Sequence, residues 1–89
     1  MPKMVITHGV ADVDAWLGHA AERADAIGQL GGTNVADHVA FDGSNNVAVS
    51  ADVDDPEAMM ASLAAPPPEV AELMQKHGVQ PPLVAYVAG

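Results

Sequence analysis

The side chains best suited to chemistry in this sequence are its four histidines and its one tyrosine. Histidine titrates near neutrality, so it can act as a general base or donate a hydrogen bond to a substrate oxyanion. His38 is the leading catalytic candidate, because strand alternation places it on a face that also carries small polar residues. The simpler interpretation of His38 is an edge-strand residue that faces water or a dimer interface, since no partner base is visible.

His8 is the second catalytic candidate, and it lies at the end of the first predicted strand. Its alternative role is structural, because the imidazole could anchor the following loop to Asp12 or Asp14. Tyr86 could donate its phenol hydrogen to a ligand, and it could equally be an aromatic residue of a subunit interface. Both alternatives stay open from the sequence.

The sequence predicts no metal site and no cofactor. His8, His38 and His77 do not follow a recognised ligand spacing such as H-x-x-x-H. His77 precedes Gly78 at the predicted end of a helix, where the dipole favours an imidazolium. Haem would need a large apolar pocket and an axial ligand, for which His38 or His77 could serve, and this alternative stays open as the less favoured one. Phosphate-binding loops and serine nucleophile motifs are absent from the sequence.

The charge balance argues against two classes of partner. The formal net charge is −9, because 12 acidic residues face only Lys3, Arg23 and Lys76. Three cations cannot neutralise a run of phosphates, so neither nucleic acid nor an anionic membrane surface is expected as a partner. The sequence has no cysteine, and its first eight residues are too briefly apolar for a signal peptide. A cytoplasmic protein is therefore predicted.

The hydrophobic pattern predicts strand, helix, strand, strand, helix, strand within one domain that spans residues 1–89. Asp12 and Asp55 are expected to cap the two helices. Residues 42–46 are turn formers, so the strands on either side should pair as an antiparallel hairpin. The predicted strands are 4–10, 33–41, 47–51 and 83–87, and the predicted helices are 13–30 and 56–77, the second interrupted by three prolines at 66–68. This order is typical of an α+β, ferredoxin-like βαββαβ sandwich.

In this fold both helices cover one face of the sheet, and the other face stays open. Alternation assigns a set of apolar residues to the covered face: Met4, Ile6, Val35, Val39, Phe41, Val47, Val49, Leu83, Ala85 and Val87. The open face should carry His38 together with the candidate ligand-binding residues Thr7, Asn34, Ser50 and Tyr86. An uncovered sheet face marks an interaction surface, so we expect a homodimer with a ligand cavity between the two sheets.

Three short segments resemble the small dimeric α+β barrel superfamily. Residues 8–16 follow the H-x-V-x-D-x-x-x-W pattern with which these proteins open. Residues 63–66 resemble their L-A-(S)-P helix break, and residues 74–82 resemble their closing helix with G-V-x-x-P. The superfamily includes cofactor-free antibiotic-biosynthesis monooxygenases, polyketide cyclases and haem-degrading enzymes. The resemblance implies a ferredoxin-like dimeric fold, but the superfamily has no common catalytic residues that it could assign here.

Two functional hypotheses follow from the residues and the resemblance together. The first is a cofactor-independent monooxygenase or cyclase that acts on a hydrophobic, aromatic or polyketide-like small molecule. The second is a non-catalytic dimeric binding or assembly domain whose cavity is merely packed. An open cavity lined by His38 and Tyr86 would favour the first hypothesis, and a cavity filled by Val and Ala side chains would favour the second.

Overall fold

A computed structural model describes residues 2–88 of the chain. Four strands and four helices follow one another in the order βααββααβ along these residues. The elements are β1 (Lys3–Val10), α1 (Val13–Gly18), α2 (Ala20–Gln29), β2 (Gly32–Val39), β3 (Asn46–Val53), α3 (Pro56–Ala64), α4 (Pro68–Lys76) and β4 (Val79–Val87).

The strands form one antiparallel sheet in the order β2-β3-β1-β4. In the middle of the sheet, Ile6 of β1 pairs with Val49 of β3 on one side and with Ala85 of β4 on the other. The hairpin predicted around residues 42–46 is confirmed, because β2 and β3 pair antiparallel. The helices cover one face of this sheet, so the chain has the predicted ferredoxin-like α+β fold.

The core lies between the sheet and the helices and consists of two apolar clusters. One cluster joins the sheet to α3 and contains Met4, Ala51, Val53 and Met59. The other joins the sheet to α1 and contains Val10, Trp16, Val47 and Val49. Alternate residues of β1 and β3 supply both clusters, which confirms the predicted facing of the two central strands.

The first helix differs from the sequence prediction. The segment 13–30 was expected to be one helix, whereas α1 ends at Gly18 and α2 begins at Ala20. Glycine inside a helix costs about 0.5–1 kcal/mol relative to alanine, so Gly18 is a weak point at which the helix can break. Asp12 caps α1 as predicted, because its Oδ1 accepts a hydrogen bond from the Ala15 backbone N at 3.1 Å.

The second helical segment is interrupted as predicted. The helix α3 is capped by Asp55, whose Oδ1 accepts from the Ala58 backbone N at 3.1 Å, and α4 begins at Pro68. The last strand begins at Val79 rather than at Leu83 and includes two prolines. Because β4 is an edge strand, the missing proline N–H groups leave no gap inside the sheet.

The second strand is shorter than predicted. It ends at Val39, and Phe41 lies beyond it with a fully exposed side chain, so the expectation that Phe41 faces the helices was wrong. Near its start, the pairing register shifts between Thr33 and Ala36, and Asn34 takes a positive φ of 52°. None of the helices formed by residues 2–88 has the length and apolar character that a membrane crossing requires.

Candidate functional site

A small apolar cavity lies between the covered face of the sheet and the helices α2, α3 and α4. Its volume is about 90 Å³. Side chains from both layers line it, among them Met4, Ile6, Leu30, Ala51, Met59 and Leu63. Apolar walls of this kind are typical of sites that bind small hydrophobic molecules.

Three residues with polar side chains also border this cavity: His8, Arg23 and His77. All three residues are buried, with between 6% and 8% of their surface exposed. His8 comes from β1, Arg23 from α2, and His77 from the residue that follows α4. The surface inside the cavity is almost entirely apolar, so these three residues border it while presenting little polar surface to it.

The imidazole of His8 is arranged to accept a proton. Its Nδ1 lies 2.9 Å from the Gly9 carbonyl oxygen, which can only accept, so Nδ1 carries the hydrogen and donates it. The other nitrogen, Nε2, then keeps its lone pair. Burial lowers the pKa of His8 below its ordinary value. The hydrogen bond to Gly9 opposes this in part, and the nearby positive charge of Arg23 adds a smaller lowering effect. At neutral pH His8 is a neutral base.

Arg23 is held by several partners at once. Its Nε and Nη2 donate to the two carboxylate oxygens of Asp37, at 3.0 and 2.9 Å, and its Nη1 donates to the Trp16 carbonyl oxygen at 3.0 Å. The guanidinium carbon lies 3.8 Å from the centre of the Trp16 ring, which is a cation–π arrangement. Arg23 is therefore a fixed positive charge beside the cavity and not a mobile surface residue.

A second polar cluster joins the start of α2 to the end of α4. Nε2 of His77 lies 2.9 Å from Oε1 of Glu22, and Lys76 donates to Oε2 of the same carboxylate at 3.1 Å. The ring of His19 stacks on the ring of His77, with centroids 4.6 Å apart. Burial lowers the pKa of His77, and the hydrogen bonds from His77 and Lys76 lower the pKa of Glu22.

The open face of the sheet carries five of the six residues that the sequence singled out. Nε2 of His38 lies 3.0 Å from Oγ of Ser50, and Nδ2 of Asn34 donates to Oδ2 of Asp52 at 2.8 Å. The Thr7 hydroxyl donates to the Val84 carbonyl oxygen at 3.4 Å. Tyr86 lies on this face as well, and 59% of its surface is exposed.

His8 is the sixth residue, and it lies on the opposite face. Its ring packs edge-on against Trp16, with ring centroids 6.1 Å apart. His8 does not anchor the following loop through Asp12 or Asp14, which was its alternative role. Its Nδ1 contacts the Gly9 carbonyl oxygen, and Asp12 caps α1. The two catalytic candidates, His8 and His38, therefore belong to separate surfaces of the sheet.

Sequence reasoning missed the role of four polar residues on the covered side. Arg23 lies seven positions after Trp16, which is two helical turns, and this spacing could have placed the two on one face. His19 and Glu22 lie three positions apart, and this spacing also puts side chains on one face of a helix. No sequence signal links Asp37 to Arg23, because their contact depends on how β2 packs against α2.

Structure comparison finds the same architecture in two solved proteins. A candidate antibiotic biosynthesis monooxygenase from Deinococcus radiodurans aligns over 100% of this chain and 93% of its own, with a TM-score of 0.59 and 18% identity. A protein from Agrobacterium tumefaciens aligns over 100% of this chain and 92% of its own, with a TM-score of 0.63 and 13% identity. The chain shares their fold.

Both identities are low, so the likeness establishes the fold alone. It confirms at that level the resemblance to antibiotic-biosynthesis-monooxygenase-like proteins that the sequence motifs predicted. No family model matches the chain, and no curated protein sequence matches it significantly.

Proposed function

We propose that this protein binds a small hydrophobic molecule in the cavity between its sheet and its helices. The observation that carries the proposal is an apolar cavity between the sheet and the helices, bordered by a buried, neutral histidine, His8, and by the buried Arg23. Apolar walls with few polar groups are typical of sites that take up small hydrophobic molecules.

The size of the cavity restricts the ligand. Its volume of about 90 Å³ is smaller than the engineered cavity of about 150 Å³ that binds benzene in another protein. A polycyclic ligand would therefore enter only if part of the wall moved outward. The helix α4 is the element best able to move, because none of its residues is buried. Pro66 and Pro67 lie between α3 and α4, so α4 can shift without disrupting α3.

The chemistry that this site supports best is removal of a proton from an acidic phenol or enol. Nε2 of His8 would accept the proton, and the resulting imidazolium would stabilise the anion. An anion of this type is electron-rich and can react with dioxygen. Conversion of an activated CH₂ group into a carbonyl consumes one O₂ and releases one water, so it needs no external reductant. This is the cofactor-independent monooxygenase hypothesis, with a cyclase as the related non-oxidative outcome of the same proton transfer.

We also propose that the open sheet face pairs with the same face of a second copy. Val84 and Tyr86 are exposed there to 43% and 59%, although both are large and largely apolar. The face also carries the small residues Thr7 and Ala48, so two sheets could approach closely. In such a dimer His38 and Ser50 would lie between the subunits, which is where the sequence analysis predicts a ligand cavity. That second location stays a prediction.

One experiment distinguishes the two locations. The protein would be titrated with simple and polycyclic phenols while methyl and backbone NMR shifts are followed. The proposal expects the largest shifts at cavity residues such as Met59 and Leu63, and His8→Ala should weaken binding while His38→Ala should not. Shifts clustered around Thr7 and Tyr86, with loss of binding in His38→Ala, would place the ligand on the open face instead.

If no phenol binds to either face, the non-catalytic assembly hypothesis replaces the enzymatic one. Its test is the oligomeric state, measured by analytical ultracentrifugation. The dimer proposal expects twice the mass of one chain, and it expects Tyr86→Glu to yield monomers because charges would oppose each other across the interface. Phe41→Glu is the matched control, since Phe41 is a fully exposed aromatic that lies outside the sheet. A monomeric wild type at high concentration would overturn the dimer.

A further inference from the structure

The start of α2 and the end of α4 are joined by a cluster that the proposed function does not use. His19 immediately precedes α2, Glu22 lies in its first turn, and His77 immediately follows α4. One nitrogen from each histidine and one carboxylate oxygen of Glu22 all lie within 4.8 Å of one another. Two imidazoles and one carboxylate from chain segments more than fifty residues apart thus converge at one place.

We propose that His19, Glu22 and His77 form a binding site for a divalent transition-metal ion, with zinc as its occupant. Two histidines and one glutamate are a donor set found in zinc sites that keep the fourth position for water. Imidazole nitrogen is preferred by zinc, copper and nickel, whereas magnesium and calcium prefer oxygen ligands throughout. The donor set therefore indicates a transition-type ion such as zinc, copper or nickel, and not magnesium or calcium.

Two of the three ligands are already close to the required geometry. Zinc binds histidine nitrogen and carboxylate oxygen at about 2.0–2.2 Å, so two ligands of one tetrahedral ion lie about 3.3 Å apart. Nε2 of His77 and Oε1 of Glu22 are 2.9 Å apart and need to separate only slightly. The zinc ion would replace the hydrogen that Nε2 donates to this carboxylate, and the proton would be released to water. His77 is buried and so is held in place, while Lys76 bonds the other carboxylate oxygen and leaves Oε1 for the ion.

His19 is the ligand that must move. Its ring is parallel to that of His77 within 6°, so the nitrogen lone pairs of the two rings do not point at a common centre. A rotation of the His19 ring would correct this. His19 is only partly buried, and its side chain makes no capping hydrogen bond to α2, so the rotation breaks only the ring stack. We therefore expect the stack to be the metal-free arrangement and to open when the ion binds.

Some charges around the cluster oppose the binding of a cation and others favour it. Lys76 lies beside the site and repels a cation, but its side chain is 56% exposed and can swing into water. Arg23 follows Glu22 in the sequence, and its charge is paired with Asp37. The chain as a whole has a formal charge of −9, so the surrounding potential attracts cations. A bound zinc ion would also hold α4 against α2, because His19 and Glu22 lie at the start of α2 and His77 lies at the end of α4.

The test is zinc titration of the untagged protein by calorimetry, with cobalt as a spectroscopic probe of tetrahedral coordination. We expect one zinc ion per chain, a higher melting temperature with zinc, and changed ring-nitrogen NMR shifts at His19 and His77. His19→Ala and Glu22→Gln should each weaken zinc binding by more than about tenfold. Mutation of a residue that only hydrogen-bonds to a metal ligand already costs about that much, and these two residues are ligands themselves.

His38→Ala is the matched control, because it removes one imidazole from the opposite face of the sheet and should leave the zinc affinity unchanged. Circular dichroism would verify that each variant is folded. His19 is partly exposed, so its variant should keep the fold even if a His77 variant does not. The proposal is overturned if the wild type binds no zinc at micromolar concentration, or if His19→Ala binds zinc as tightly as the wild type. It is equally overturned if His38→Ala weakens binding as much as His19→Ala.

Discussion

Arg23 of α2 and Asp37 of β2 form a bidentate ion pair between the helices and the sheet. Two parallel hydrogen bonds of 3.0 and 2.9 Å join the guanidinium to the carboxylate. Only 8% of the Arg23 side chain and 14% of the Asp37 side chain are exposed. The pair fastens the edge strand β2 to α2, and it also fixes the guanidinium over the Trp16 ring. One contact thus sets the position of an edge strand, a helix and the positive charge beside the cavity.

Asp37→Asn should be strongly destabilising. The amide keeps the shape of the carboxylate but leaves the buried charge of Arg23 uncompensated. Removing one partner of a buried pair costs about 3–5 kcal/mol, and urea denaturation would measure the loss. Lys3→Ala is the control, because the Lys3–Asp52 pair is longer, at 3.5 Å, and the Lys3 side chain is 52% exposed. The control should change stability little. Equal effects from both variants would show that Arg23 finds another partner.

Trp16 and Leu17 offer a comparison between adjacent residues of one short helix. Trp16 is completely buried, whereas Leu17 is 42% exposed. Trp16→Ala should lower the free energy of unfolding by about 3–5 kcal/mol, which is the usual cost of truncating a buried aromatic. Leu17→Ala should cost far less, since much of its side chain already contacts water. Similar denaturation midpoints for the two variants would contradict the burial of Trp16.

The order of the elements was predictable from the sequence because local signals mark their ends. Asp12 and Asp55 cap helices, and the prolines from Pro66 onward interrupt the second helical segment. The break after Gly18 was not predicted, because the apolar spacing continues through it. Gly18 weakens the helix at this point, but a single glycine inside a helical pattern is often tolerated, so its presence alone does not predict a break.

The candidate site was harder to predict than the fold. Alternation placed Thr7, Asn34, His38, Ser50 and Tyr86 together on the open face, since a strand pattern depends on neighbours two residues apart. The covered side was not predictable in the same way. The contacts of Arg23 with Asp37, and of Glu22 with His77, join segments 14 and 55 positions apart. Such contacts follow from how helices dock on the sheet, which no local pattern encodes.

Gly28 and Gly32 should respond in opposite ways to replacement by alanine. A Cβ at Gly28 would meet nothing within 4 Å, and the residue lies near the end of α2, so Gly28→Ala should stabilise by about 0.5 kcal/mol through helix propensity. A Cβ at Gly32 would lie 2.5 Å from Cγ2 of Ile27 and 3.3 Å from its carbonyl oxygen. Overpacking of this kind costs about 1–3 kcal/mol. Thermal unfolding of both variants would check the signs, and a stabilised Gly32→Ala would contradict the close approach of α2 to β2.

Burial of His8 makes the stability of the protein depend on pH. Burial, aided by the charge of Arg23, lowers the pKa of His8 in the folded chain below its ordinary value of 6.5. As the pH falls through 6.5, the unfolded chain takes up a proton that the folded chain does not. The unfolded state is therefore favoured progressively until the pH reaches the lower folded-state pKa. The stabilisation from a neutral His8 is complete above pH 6.5 and is lost below it.

Urea denaturation at a series of pH values from about 7.5 to about 5.5 would measure this dependence. The midpoint should fall as the solution becomes more acidic, and His8→Gln should make the decline shallower because glutamine does not titrate. Some decline should remain in that variant, since burial lowers the pKa of His77 as well. Glu22 contributes only at lower pH, because its pKa is lowered from 4.5 by its hydrogen bonds to His77 and Lys76. A midpoint that rises on acidification, or a decline that is as steep in His8→Gln as in the wild type, would show that His8 is not a buried neutral base.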